Sequence, residues 1–379
     1  LTCDDPRPEQ VTRNRAGHDT KENLPSTLLG TCFEHTATMR ATGTGPVASE
    51  PHKGDQVAEP LRAGDTVRVR TKEEILETLD ESGRLGALPF MPEMLAFAGQ
   101  ELTVFKRADK TCDTITQTGT RRRMENTVHL VGARCDGSAH GGCQAGCLLF
   151  FREEWLSPGP DAAGGGKATI ETLYDDTRQG SGTDGEPLFR CQTTELLAAS
   201  SGGLSPYDWS QYVTDVRTGN ERLTTVLAGI AIMFFNMFQR RSRRLPRWAR
   251  IRDGEEYPFL RGTARETVLG EPLGLEPGEL VEVRSKAEIE ATLRPTNKNR
   301  GMVFDAEMLP FCGTQARVKQ RVDRIIDEPT GRMIDLRDCL ILEEVYCKAL
   351  YHRFCPRSIY PYWREVWLKR VDEPQGPGA

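Results

Sequence analysis

The chain has 379 residues, a formal net charge of −5 and a pI near 5.9, with 37% hydrophobic and 7% aromatic residues, 36 Gly and 23 Pro. Its length predicts two or three domains, and the lean apolar content predicts loops or tails beside a core. The acidic balance counts against a whole-chain polyanion binder, and so against nucleic acid as the main partner.

Eleven cysteines are many for a chain whose residues 1–30 are polar and lack the apolar run of a secretory signal. The expectation is a cytoplasmic protein whose thiols serve metal ligation or chemistry rather than a disulfide framework. In chain order, residues 1–57 read as a disordered tail holding Cys3, Cys32, His18, His35 and His52 without motif spacing. A Cys-rich repeat at 58–157 follows, then a Gly-rich flexible linker at 158–187 and a helical insert at 188–252. A Gly/Pro/Glu-rich linker at 253–274, a second repeat at 275–371 and a tail at 372–379 complete the order.

The organising signal is internal. Leu61–Gly99 aligns with Leu275–Gly313 at a constant offset of 214, with 16 of 39 positions identical. Both copies open with strand alternation, at Thr66–Arg70 and Leu280–Arg284. Both continue into a capping box, Thr71 with Glu74 and Ser285 with Glu288, and a short helix with one apolar face. Further strands are predicted at Leu102–Lys106 and Thr127–Val131, and again at Ala316–Lys319 and Leu340–Val345. Short strands around one short helix predict a mainly β, α+β fold: two duplicated SH3-like small barrels flanking the insert.

Later in the copies the offset becomes 212. Cys135-x4-His140-x2-Cys143 then faces Cys347-x4-His352-x2-Cys355, with Cys112 and Cys147 near the first set and Cys312 and Cys339 near the second. Thiolates and neutral imidazoles are the preferred donors for zinc, and a closed structural site takes four. Three donors within nine residues, in a loop carrying Gly137, Gly141 and Gly142, predict one zinc site per repeat. A fourth ligand would come from Cys112 or Cys147 in the first repeat and from Cys339 or Cys312 in the second. Iron–sulfur ligation, through Cys112, Cys135, Cys143 and Cys147, fits less well, because the spacing matches no ferredoxin pattern. Reactive thiols or inert packing remain open for the same residues. Glu93 and Glu307 recur in Glu-Met-Leu, which fold maintenance explains at least as well as acid–base work. No Ser-His-Asp set, phosphate loop or His-Glu-x-x-His helix is present, so no catalytic constellation or small-molecule substrate can be assigned.

The insert carries an uncharged run, Leu223–Phe238, followed by Arg240, Arg241, Arg243, Arg244, Arg247, Arg250 and Arg252. Sixteen helical residues span about 24 Å, short of the roughly 30 Å hydrocarbon core. Three readings stay open: a short membrane span, a core helix between the barrels, and an interfacial helix. In the last, Phe234, Phe235, Phe238 and the arginines Arg240, Arg241, Arg243 and Arg244 would meet an anionic membrane surface or a protein partner through residues 223–252.

With the two copies, the Cys135-Asp-Gly-Ser-Ala-His-Gly-Gly-Cys143 loop and the run Tyr360-Pro-Tyr-Trp-Arg-Glu-Val-Trp-Leu-Lys-Arg-Val371 in view, the chain resembles a family of uncharacterised bacterial proteins over roughly residues 60–371. The resemblance implies a bacterial cytoplasmic protein, often encoded near biosynthetic genes, and carries no established activity. It favours the cysteines over His352 as recurring ligands. The functional expectation is a non-catalytic zinc-binding scaffold or accessory protein. A thiol-based redox or metal-dependent accessory and a nucleic-acid adaptor are the alternatives.

Overall fold

Alternating apolar and polar residues turn Thr66–Val69 and Leu280–Val283 into short strands whose valines face inward. Each lies inside a five-stranded antiparallel sheet. The first runs Leu148–Arg152, Thr127–Arg134, Glu101–Arg107, Thr66–Val69, Leu156–Ser157. The second runs Trp363–Arg364, Cys339–Leu342, Gln315–Arg321, Leu280–Val283, Leu368–Arg370. A bulge between Val104 and Lys106, and another between Val318 and Gln320, bends each long second strand and curls the sheet toward a half-barrel. The computed structural model describes residues 60–116, 119–160 and 165–371. The expected tails, with Cys3, Cys32, His18, His35 and His52, lie outside the described residues.

The fold is mixed α+β, mainly strands. Its helices are α1 (Lys72–Thr78), α2 (Ile170–Asp176), α3 (Ser210–Arg217), α4 (Leu223–Ser242) and α5 (Lys286–Glu290). The capping boxes form at both expected places: Thr71 and Ser285 accept from the N–H of Glu74 and Glu288, whose carboxylates reach back. A buried tryptophan locks each helix to its sheet. Trp155 donates to Thr78 Oγ1 at 3.0 Å and meets Phe90 edge-on; Trp367 donates to Thr292 Oγ1 at 2.9 Å and meets Phe304 edge-on. Arg152 and Arg364 tie backbone carbonyls, while Glu153 and Glu365 hold Arg107 and Arg321.

The halves exchange arms. The hairpin of Lys110–Cys112 and Arg121–Arg123 reaches the second half, where Arg121 Nε donates to His352 O at 2.8 Å. The hairpin of Arg324–Ile326 and Met333–Asp335 reaches the first, where Gln144 N–H donates to Arg324 O at 2.9 Å. One hydrophobic core consequently runs through both halves, from Val67 and Trp155 to Val281 and Trp367.

Between the halves the structure departs from expectation. The expected flexible linker carries α2 and a strand, Arg178–Ser181, paired with Pro187–Phe189. Within the expected helical insert, residues 192–198 form turns instead of helix, with the Gln192 amide bonded to the Phe150 backbone. Helix α3 is anchored to the first half by the buried pair Lys110–Asp215. Helix α4 runs four residues past the uncharged stretch, giving 20 residues or about 30 Å. It is the one described helix long and apolar enough to cross a membrane. Only Val226, Gly229, Gln239 and Ser242 are buried, so α4 is not a core helix between the sheets.

His129, on the strand leading into the first Cys/His loop, is fully buried and donates through Nδ1 to Leu149 O at 2.9 Å. Burial, unrelieved by any acid, pushes its pKa down to about 3. Its neutral form therefore contributes stability that is full above the ordinary pKa of about 6.5 and lost as pH falls toward 3. Urea unfolding at pH 7 and pH 5 should show a loss containing about 2 kcal/mol from this residue, and His129→Gln should shrink the difference between the two midpoints.

Candidate metal centres

The first Cys/His loop starts where the strand Thr127–Arg134 ends, the second five residues after the strand Cys339–Leu342, and both are closed by the same turns. Cys135 N–H donates to Cys147 O and Cys347 N–H to Ile359 O, both at 2.9 Å; His140 N–H returns to Gly137 O, and His352 N–H to Ala349 O. A buried glutamate from a 3-10 turn caps each loop. Glu93 Oε1 accepts from Ala139 N–H at 3.1 Å, and Glu307 Oε1 from Tyr351 N–H at 2.6 Å.

The first loop needs glycine. Gly137, Gly141 and Gly142 have φ of +73°, +70° and +70°, and a Cβ on Gly137 would stand 2.0 Å from Cys143 O. In the second loop the corresponding positions are Ala349, Arg353 and Phe354, still left-handed at φ +59°, +52° and +59°. Non-glycine residues held there store strain of about 1–3 kcal/mol each.

This frame assembles two groups whose ligand atoms lie within 4.8 Å of one another: Glu93, Cys135 and His140, and Glu307, Cys347 and His352. Either could hold a metal ion. In the first, His140 is 2% exposed and its Nδ1 meets Glu93 Oε1 at 2.9 Å. Its Nε2 lies 3.8 Å from Cys135 Sγ, and the Cys143 thiol bonds to the same imidazole. Burial alone would lower the His140 pKa, but Cys135, Cys143 and Glu93 together hold it well above its ordinary range. Glu93 stays below the usual carboxylate range because His140 outweighs its burial. Its other oxygen, Oε2, is buried without a hydrogen-bond partner. Burial pushes the thiols of Cys135, Cys147 and Cys191 up.

The second group is more open. His352 is 36% exposed and is held by the opposite nitrogen, Nε2, 2.9 Å from Asp305 Oδ1. Asp305 occupies the position of Met91 in the first half, so only the second imidazole has an acid on that side. His352 keeps Asp305 below the carboxylate range against the effect of burial, whereas burial pushes Glu307 up.

The remaining cysteines divide unexpectedly. Cys112, grouped by proximity in sequence with the first set, lies on the exchanged hairpin against the second. Its N–H donates to Cys355 Sγ at 3.2 Å, and the two thiols are hydrogen-bonded. The counterpart contact is Ile326 N–H to Cys143 Sγ at 3.4 Å. Cys147 lines a cavity with Cys135, His140 and Cys143. Cys339 instead turns to Arg337 O and Arg364, and Cys312 sits at the end of its 3-10 turn near Lys286 and Glu290; neither joins the second group. Glu93, Glu307 and Asp305 were not expected at the sites. The recurrence of an acid at matching positions in both copies was the available signal for the first two.

Ala349→Gly should release left-handed strain and raise stability by about 1 kcal/mol in urea unfolding, while Gly137→Ala should cost several-fold more. Among the proteins compared, no known family, no curated protein and no solved structure matches this chain.

Proposed function

We propose that the protein is a non-catalytic scaffold whose two halves are duplicated, SH3-like small barrels, each closed by one zinc ion. The carrying observation is the His140 ring, fixed through Nδ1 by Glu93 with Nε2 turned toward Cys135. Metal-bound histidines commonly donate their second nitrogen to such a carboxylate, which sets the tautomer and orients the ring. Around tetrahedral zinc a nitrogen and a sulfur lie roughly 3.6 Å apart, close to the observed 3.8 Å. The unpaired Glu93 Oε2 fits the same reading, since a nearby cation offsets a buried negative charge. A fully ligated ion leaves no position for substrate, hence a structural role. Elemental analysis of the purified chain should give about two zinc per molecule; none would overturn the proposal. His140→Ala should remove one ion, and Glu93→Gln should weaken one site by about 10–100-fold.

The second part of the reading is an anionic lipid surface as the partner of the insert. Phe234 and Phe238 on α4 are exposed with Leu227, the Trp209 ring of α3 stacks on Phe234, and Trp248 is 88% exposed. Arg240, Arg241, Arg243 and Arg244 are exposed beside this face, whereas Phe235 packs on Phe259. Apolar rings rimmed by arginines suit an acyl boundary beneath acidic headgroups, each arginine contributing about 1 kcal/mol. Vesicles rich in phosphatidylserine should float the protein, and replacing the four arginines by Ser should abolish flotation. Equal flotation on neutral vesicles would refute the electrostatic part.

A further inference from the structure

We propose that Cys191, which lies outside both repeats, is the fourth ligand of the first centre. The ion would then be held by Cys135, His140 Nε2, Cys143 and Cys191, with Glu93 behind the imidazole as a positioning residue. This inference rests on the metal-binding reading above and adds to it the donor set.

Three observations carry it. The first is a cavity of about 20 Å³, room for one water-sized body, lined by Cys135, His140, Cys143, Cys147 and Cys191. Ligation at such a point uses four donors, and the loop itself brings three.

The second is how firmly Cys191 is placed. The next residue, Gln192, is 4% exposed and acts as a clamp. Its Oε1 accepts from Phe150 N–H at 2.8 Å, while its Nε2 donates to Phe150 O at 2.9 Å and Pro89 O at 3.0 Å. The turn that presents Cys191 is thus fastened to the strand that follows Cys147 and to the segment just before Glu93.

The third is the surroundings of the sulfur. Cys191 Sγ lies 3.1 Å from Thr193 Oγ1 and accepts from the Thr194 N–H, much as Cys143 Sγ accepts from Ile326 N–H. Donors aimed at sulfur stabilise a thiolate and are the usual outer-shell support of a thiolate ligand. Cys147 lines the same cavity, but among the described residues no hydrogen-bond donor meets its sulfur, and this difference selects Cys191. Three thiolates and one imidazole make a closed, soft-donor tetrahedron suited to zinc and readily reported by cobalt.

The test is a Co²⁺ titration of the full chain, followed by the sulfur-to-cobalt charge-transfer band and the d–d bands. Cys191→Ser should weaken one of two sites by about tenfold or more and diminish the charge-transfer band. Cys147→Ser should match the unmutated chain. A Cys191→Ser chain that matches the unmutated one, or a loss confined to Cys147→Ser, would overturn the assignment while leaving metal binding intact. An unmutated chain that takes up no cobalt would overturn the metal-binding reading itself. X-ray absorption of the zinc protein adds a second readout: Cys191→Ser should lower the average number of sulfurs per ion, and an unchanged average would refute the donor set.

Discussion

The buried carboxylate of Glu93 does two jobs at one oxygen, accepting the Ala139 amide and the His140 ring, and the first loop is shaped by both. A charge placed 9% exposed is costly unless it is bonded on several sides. The chain therefore has to bring the amide and the imidazole to it, which draws Cys135 and Cys143 to the free side of the ring. Glycine at 137 is required by the same compression, since the loop backbone passes where a side chain would stand. Glu307 repeats the amide capping but not the ring contact, because Asp305 has taken the imidazole. One altered position, Met91 against Asp305, thus gives two loops of equal backbone outline different ring orientations.

Much of the frame was legible in the sequence because it depends on near neighbours. Capping boxes need only residues three apart, and strand alternation is local, so Thr71–Glu74, Ser285–Glu288 and the strands containing Leu102–Lys106 and Thr127–Val131 could be read directly. The spacing of Cys135, His140 and Cys143 likewise described one loop.

What escaped depends on distant contacts. Cys112 looked like a neighbour of Cys135, yet the hairpin that carries it crosses to Cys355. Residues 165–187 are rich in glycine and polar side chains, but Arg84 and Arg190 bond to Asp176 and fasten α2 in place. Cys191, which lines the cavity beside Cys135 and His140, has no counterpart spacing in the second half of the chain. The glutamates were visible as recurring residues, but the amide and imidazole partners of Glu93 lie 46 and 47 positions away, and the amide partner of Glu307 lies 44 away.

The exchanged hairpins have a mechanical consequence. Each half lends the other a wall: Ile326 presents its amide to Cys143, and Cys112 presents its amide to Cys355. Whatever tightens one loop also holds down an arm rooted in the opposite sheet, and whatever loosens it frees that arm. Each arm is thus a physical connection between the two ends, and any coupling carried along it would be equal in both directions.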